Sequence, residues 1–193
     1  MTWKWETETA AGALVCRPLT PGRFDDVLQV FGERGVARNC GCVYWRRPDG
    51  GYPDNRPGED RLRDITAGGP PPGLVGYLGD QPVGWVSLGP RNDFPTLDRS
   101  RILSRIDDAE VWSVNCFVTR VGYRRRGIGD AMLRAAVEYA RHSGATTLEG
   151  YPWDATTNSA VNLYTGTRGM FGDQEWVEVA RRKPHRPIVR LKL

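Results

Sequence analysis

One continuous stretch of the chain, residues 111–139, constrains its fold more than any other. Residues 111–119 are apolar and rich in β-branched and aromatic side chains, a composition that favours a buried strand. Residues 121–126 are typical of a turn. The following segment opens with Gly127-Ile128-Gly129, and its later apolar residues recur at helical spacing. The stretch therefore predicts a strand, a turn and a helix with a glycine-rich start.

The chemistry of that helix start is specific. The first N–H groups of a helix have no partner within it, and the macrodipole places partial positive charge there. Gly127 and Gly129 lack a Cβ, so a bulky anion can approach the backbone closely. Three consecutive arginines add positive charge, namely Arg124, Arg125 and Arg126. The pattern predicts a pyrophosphate or polyphosphate site, although it matches neither the Walker pattern nor GxGxxG.

The hexad 124–129, Arg-Arg-Arg-Gly-Ile-Gly, fits the signature Gln/Arg-x-x-Gly-x-Gly/Ala and resembles the GNAT superfamily of acyl-CoA-dependent N-acyltransferases. The segment 40–46, Cys-Gly-Cys-Val-Tyr-Trp-Arg, is similar in particular to an actinobacterial-type group with a Cys-x-Cys…Trp-Arg segment. The resemblance covers roughly residues 10–193. It implies an α+β fold, with a mixed, mostly antiparallel twisted sheet that is flanked by helices and splays at residues 111–119.

The resemblance also implies the co-substrate, acetyl-CoA, and the residues that bind it. These residues lie on the central strand, in the hexad and the position after it, and in a later loop. They are Cys116, Phe117, Val118, Arg124, Arg125, Arg126, Gly127, Ile128, Gly129, Asp130 and Asn158.

Acetyl transfer to an amine requires a base, because a free alkyl amine has a pKa of roughly 10 and is mostly protonated at neutral pH. Glu149 is the first candidate, since Leu148-Glu149 resembles the Leu-Glu of ribosomal-protein N-terminal acetyltransferases. Two alternatives stay open. Glu149 is a structural carboxylate paired with an arginine, or Glu110, at the start of the central strand, is the base.

The departing thiolate also benefits from an acid. Many GNAT proteins supply a tyrosine from Leu-Tyr-x-x-x-Gly-Phe. Here Leu163-Tyr164 supplies the Leu-Tyr, but Gly-Phe does not follow at that spacing. A second register, over residues 170–179, fits the helix-to-strand frame better and places Phe171, which cannot donate a proton, at the tyrosine position. Tyr164 is the predicted acid, and water or a backbone N–H is the alternative.

Composition bounds the remaining possibilities. The 193 residues predict a single domain, 1–193, with residues 1–10 as an extension. A net charge of +4 suits an anionic cofactor and does not by itself indicate nucleic acid. Neither a membrane-spanning run nor an apolar signal core occurs, so a cytoplasmic protein is expected. The four cysteines are expected to be free thiols and no metal site is predicted, although a Cys-x-Cys pair is able to bind a metal.

Outside the central stretch the patterns predict short elements. Strands are expected at 14–19, 145–151, 177–181 and 188–191, a hairpin at 74–88, and helices beginning at 20–21 and spanning 59–66 and 170–176. The polar segment 89–108 borders the acceptor site by analogy with GNAT proteins. The aromatic-basic trio 44–46 is either packing or part of a substrate wall. The basic turn 182–187 is predicted to be a solvated hairpin tip.

These patterns predict an acetyl-CoA-dependent N-acetyltransferase that acts on a primary amine, with a small-molecule acceptor first. A protein N-terminus or a lysine is the second choice. A non-catalytic acyl-CoA binder or sensor is the alternative from another class, and nucleic-acid binding is the weakest. A homodimer is one possible assembly.

Overall fold

The computed structural model describes residues 3–33, 36–48, 55–154, 163–172 and 175–193. Eight strands form one sheet in the order β1-β2-β3-β4-β5-β6-β8-β7. Every neighbouring pair is antiparallel except β5 and β6, which are parallel. The strands are β1 Trp5–Thr9, β2 Gly12–Pro18, β3 Gly73–Leu78, β4 Gln81–Pro90, β5 Trp112–Thr119, β6 Thr147–Gly150, β7 Val177–Arg181 and β8 Pro187–Lys192.

Helices cover both faces of the sheet, and this confirms the predicted α+β class. The α-helices are α1 Phe24–Phe31, α2 Val36–Cys40, α3 Gly58–Gly68, α4 Pro95–Arg99 and α5 Ile128–His142. Short 3-10 helices lie at Pro21–Arg23, Tyr44–Arg46, Arg91–Asp93, Leu163–Thr165 and Arg168–Phe171. Over the described ranges, no helix combines the length and the apolar character needed to cross a membrane.

Helix α5 buries an apolar stripe against one face of the sheet, as its spacing predicts. The approach is close where the facing strands carry glycine. A Cβ at Gly76 would lie 2.5 Å from the Met132 sulfur, and one at Gly84 would lie 3.0 Å from it. The opposite face packs against α1 and the segment that follows α2. Helix α5 and the thiol-bearing segment 40–42 therefore lie on opposite sides of the central strands.

Most predicted elements are confirmed: the strands, the 74–88 hairpin, and the helices at 24–31, 58–68 and 128–142. Two expectations differ from the structure. Residues 5–9, treated as part of an extension, form the edge strand β1, since Trp5, Thr7 and Thr9 alternate inward along it. The prediction of a helix at 170–176 is wrong. The structure has a 3-10 turn over Arg168–Phe171, and the chain is no longer helical at 175–176.

Strands β5 and β6 pair over three positions only, the first three of β5, Trp112 to Val114, against the last three of β6, Leu148 to Gly150. The β4–β5 ladder shifts register at the same level, leaving Asn115 as the extra residue of a bulge. Beyond it β5 parts from β6, and we call this opening the splay. Residues 163–168 line the splay, because Leu163–Thr165 contacts β5 and Thr167 bridges to Trp153 beyond β6. The predicted splaying of the central strand is thus present.

Candidate functional site

The start of α5 has the backbone expected of an anion site, which we call the cradle and define as residues 124–130. Gly127 is the N-cap residue, with a left-handed φ of 76°, and Arg125 has a φ of 58°. No side chain caps the helix, and its first backbone bond runs from the Ala131 N–H to the Gly127 carbonyl. The preceding N–H groups at the helix start therefore have no side-chain acceptor.

Charge and space at the cradle suit a bulky anion. Arg124, Arg125 and Arg126 are all exposed, and the Arg126 guanidinium lies 5.9 Å from the ring centre of Tyr123. A Cβ at Gly129 would lie 3.3 Å from the Met170 methyl carbon, so a side chain there would need the end of the Met170 side chain to shift slightly. Asp130 occupies the first turn of α5, and the buried Ile128 anchors the turn in the core.

Beyond the bulge, the predicted cofactor residues of β5 lie along the splay. Cys116 is buried on the face opposite α5, and its Sγ lies 3.0 Å from the Sγ of Cys42. Phe117 packs on the α5 side, and Val118 lies on the Cys116 side. Asn115 is fully buried, and both polar atoms of its amide lack a hydrogen-bond partner in the described structure. Buried amides are normally hydrogen-bonded, so this amide is a polar group available to a ligand in the splay.

Tyr164 lies in the 3-10 turn at the splay, on the face opposite α5. Its ring centre is 6.2 Å from that of Trp45, and Cys40 and Cys116 are among the groups that act on its hydroxyl. Burial raises the pKa of the Tyr164 hydroxyl to about 12, so it carries a proton at neutral pH. The other register does not offer such a position. Phe171 is fully buried in the α5-side core, 4.8 Å from the Trp176 ring centre.

Glu149 is almost completely buried in β6 and accepts hydrogen bonds on both oxygens. Its Oε1 accepts from Nη1 of Arg91 at 2.6 Å and from the Tyr151 hydroxyl at 2.7 Å. Its Oε2 accepts from Nε of Arg190 at 2.8 Å. The Tyr151 hydroxyl also contacts the Ser113 hydroxyl at 2.8 Å. These contacts favour the second interpretation of Glu149, a structural carboxylate paired with arginine.

The remaining predicted residues are distributed as follows. Glu110 is exposed and precedes β5, which begins two residues later at Trp112. Asn158 lies outside the described residues. Cys16, Cys40, Cys42 and Cys116 are free thiols, which confirms that prediction for all four. In the part of the chain that the structure describes, no group of three or more His, Cys, Asp or Glu side chains is arranged to hold a metal ion.

Several residues near the splay have no signal in the sequence. Arg91 and Asn115 sit in polar or strand segments where nothing in the local pattern marks them. Trp45 of the 44–46 trio is buried beside Tyr164, whereas Tyr44 is 44% exposed. Arg186 belongs to the turn predicted to be a solvated tip, yet it is only 7% exposed. Each of these placements depends on contacts between distant parts of the chain.

Comparison with known proteins identifies the family. The family model described as "Acetyltransferase (GNAT) family" matches residues 40–170. No curated protein matches the chain. The GNAT domain of S. lividans PAT has a TM-score of 0.59 at 16% identity, over 99% of this chain and 97% of that one.

Two further solved structures share the fold at similarly low identity. A ribosomal-protein-alanine N-acetyltransferase from Brucella melitensis has a TM-score of 0.53 at 18% identity, covering 92% of this chain and 99% of its own. A mosquito arylalkylamine N-acetyltransferase like 5b has a TM-score of 0.55 at 11% identity, covering 93% and 100%. At these identities the likeness concerns the fold alone.

Proposed function

The chain belongs to the acetyltransferase (GNAT) family, and from that premise we propose that it transfers an acetyl group from acetyl-CoA to a primary amine. The observation that carries the proposal is the cradle: an uncapped helix start with a left-handed Gly127 and three exposed arginines, directly after the strand that borders the splay. Backbone N–H groups and positive charge at a helix start bind phosphate.

The site divides the co-substrate between two regions. We assign the pyrophosphate to the cradle, with Gly127, Ile128, Gly129, Asp130 and the three arginines around it. We assign the thioester arm to the splay, beside Cys116, Phe117 and Val118, and we keep Asn158 as a predicted contact. When bound, acetyl-CoA supplies an activated acyl group. The unpartnered amide of Asn115 supports this assignment, because a polar ligand in the splay would satisfy it.

Proton transfer requires an acid for the thiol and a base for the amine. We propose Tyr164 as the acid, because it is protonated at neutral pH and lies at the splay near Cys116. Glu149 stays the predicted base, acting through water, but its contacts with Arg91 and Arg190 support the structural alternative. Glu110 stays the second candidate. Substitution at Glu149 separates these roles.

A small-molecule amine is our first choice of acceptor, and a protein N-terminus or lysine is the second. The names of the two N-acetyltransferase neighbours point to one acceptor of each kind, so they favour neither. The narrower similarity to an actinobacterial-type group, a cytoplasmic location and a homodimer also stay part of the proposal. The alternative of a non-catalytic acyl-CoA binder rests on Phe171, which occupies the tyrosine position in the second register.

Release of the CoA thiol tests the function. The purified chain is mixed with acetyl-CoA and a panel of amines and short peptides, and thiol is followed with a chromogenic disulfide. We expect amine-dependent release well above hydrolysis for at least one acceptor class. CoA binding by calorimetry is measured in parallel. Tight CoA binding without release over the whole panel would favour the binder, and absence of binding would refute the cofactor assignment.

A further inference from the structure

Two arginines are buried in the part of the chain that the structure describes, and they differ in their partners. Arg91 is 3% exposed and pairs with Glu149 and Asp98. Arg186 is 7% exposed, and no carboxylate of the described residues lies within ion-pair distance of it. Residues 155–162, which precede the Tyr164 turn, contain no aspartate or glutamate that would supply a countercharge.

A buried cation without an anion is costly, so it needs a reason. Burial lowers the pKa of the Arg186 guanidinium, and the Tyr164 hydroxyl only partly opposes this effect. The described residues engage one of its five side-chain N–H donors, through Nη1 to the Thr165 hydroxyl at 2.9 Å. Trp153 covers one face of the guanidinium, with its ring centre 4.6 Å away. The edge, which binds carboxylates in a fork, is the part left for a ligand.

The position of Arg186 places this edge at the splay. The residue immediately precedes β8, and the Asp154 N–H donates to the carbonyl of its neighbour His185. Arg186 thus lies beyond the carboxyl end of β6, where it contacts the 163–168 segment that lines the splay. Thr165, the residue that Arg186 contacts, is adjacent to Tyr164, and the side chains of Arg186 and Tyr164 influence each other electrostatically.

The phosphates of the cofactor are assigned to the cradle, which is separate from Arg186. The cradle opens α5, which packs on one face of the sheet. Tyr164 and Ile188, which is two residues after Arg186, belong to the core on the opposite face. The Arg186 guanidinium donates to Thr165, the neighbour of Tyr164 in the turn, and lies close enough to the Tyr164 hydroxyl to affect its pKa, so it is placed on the side where Tyr164 would meet the thioester.

We propose that Arg186 binds a carboxylate of the acceptor, and that the acceptor is a small amine bearing a carboxylate, such as a free amino acid. This inference rests on the proposed acetyl transfer, which it narrows to one substrate class. A carboxylate supplies the missing countercharge and fits the guanidinium edge. Arg186 is then a specificity-determining residue that binds the acceptor, while proton transfer is left to the acid and base proposed above.

The test compares free amino acids with their C-terminal amides, which keep the amine and remove the carboxylate charge. For the wild type we expect kcat/KM, from thiol release, to be about 10- to 100-fold higher for the amino acid, the effect of a charge-assisted pair. In Arg186→Gln this ratio should fall to near one. Lys183→Gln, at an exposed position of the same turn, is the matched control and should keep the wild-type ratio.

A second readout does not depend on turnover. Calorimetry of the amino acid against the CoA-bound protein should show binding that Arg186→Gln abolishes, so the inference is testable even if no acceptor releases thiol. The shape-preserving Arg186→Met should hold or raise Tm, because it removes an unpaired buried cation. An unchanged ratio in Arg186→Gln, a preference for amides or peptides, or an equal loss of CoA affinity would overturn the proposal.

Discussion

Tyr164 is the side chain on which the proposed departure of the thiol depends. Its ring packs against Trp45, and burial holds its pKa near 12, so the hydroxyl is a proton donor throughout the neutral range. Tyr164→Phe keeps the ring and removes the donor. We expect kcat and kcat/KM to fall together by about 100-fold, the mark of an interaction made in the transition state. Steady-state thiol release measures both constants.

Two controls accompany this variant. CoA affinity and Tm should stay at wild-type values, because the ring contacts persist. Phe171→Tyr on the Tyr164→Phe background should not restore the rate, since Phe171 is sealed in the core on the α5 side. Equal rates for wild type and Tyr164→Phe would exclude this tyrosine as the acid.

Glu149 has two possible roles, and a single substitution distinguishes them. Glu149→Gln removes the buried charge that Arg91 and Arg190 share, and breaking such a buried pair costs up to roughly 3–5 kcal/mol of unfolding free energy, although Asp98 and Asp107 still pair with the two arginines. Because the contacts favour the structural role, we expect a loss of that size in urea denaturation. A base alone would instead lower kcat/KM by about 100-fold or more at native stability, with a smaller loss at high pH.

Glu110→Gln is the matched comparison for the base assignment. Glu110 is exposed, so its substitution should leave stability unchanged. If Glu110 is the base, this variant loses activity with a pH-dependent deficit and the Glu149 variant does not. A Glu149→Gln protein of native stability and native rate would contradict both roles of Glu149.

At the scale of elements, the junction of β5 and α5 joins the splay to the cradle. Gly129→Asp puts a carboxylate where phosphate is expected, with its Cβ 3.3 Å from the Met170 methyl carbon. Position 129 lies in the first turn, where an acidic side chain is compatible with the helix dipole. We therefore expect CoA affinity to fall by at least about 100-fold, with far-UV circular dichroism and Tm close to wild type.

Gly22→Asp provides the charge-matched control for the cradle. A Cβ at Gly22 meets no atom within 4 Å, and the residue lies in the Pro21–Arg23 turn, outside the cradle. Its CoA affinity, measured by calorimetry, should equal that of the wild type. Near-native CoA affinity in a folded Gly129→Asp protein would remove the basis for the cofactor assignment.

At the scale of the whole molecule, ion pairs tie the 91–108 segment to distant strands. The Asp107 carboxylate, in the loop before β5, accepts from both Nη atoms of Arg190 in β8, at 2.7 and 2.9 Å. Hydrogen bonding to Arg190 is the main cause that lowers the pKa of Asp107 to about 2. Because the unfolded value is about 3.9, this contribution to stability is complete above about pH 4 and disappears as the pH falls toward 2.

The Tm of Asp107→Asn measured against pH tests this linkage. The variant should melt below the wild type at pH 6, and the difference should shrink between about pH 4 and pH 2. Asp108→Asn is the control, since Asp108 is exposed and has no ion pair among the described side chains. A Tm difference that is constant across this range would contradict the Asp107–Arg190 linkage.

Much of the fold is predictable from local pattern. Three local features carry this information: the β-branched and aromatic composition of residues 111–119, the glycine start of α5, and the apolar stripe of that helix. Each depends only on residues that are close together along the chain. They correctly predict β5, α5 and the mixed sheet. The helix expected at 170–176 is not found: the 3-10 turn ends at Phe171, whose side chain is buried against Gly150 and Trp176.

The sequence by itself determined the cradle, because a helix start, two glycines and three arginines act through neighbouring residues. Only the tertiary structure decided the environments of Glu149 and Arg186. Arg91 is 58 residues from Glu149 along the chain, and Thr165 is 21 residues from Arg186. The sequence shows which residues carry a charge and how far apart they lie along the chain. Whether that charge is buried, and whether an opposite charge reaches it, depends on how distant strands pack.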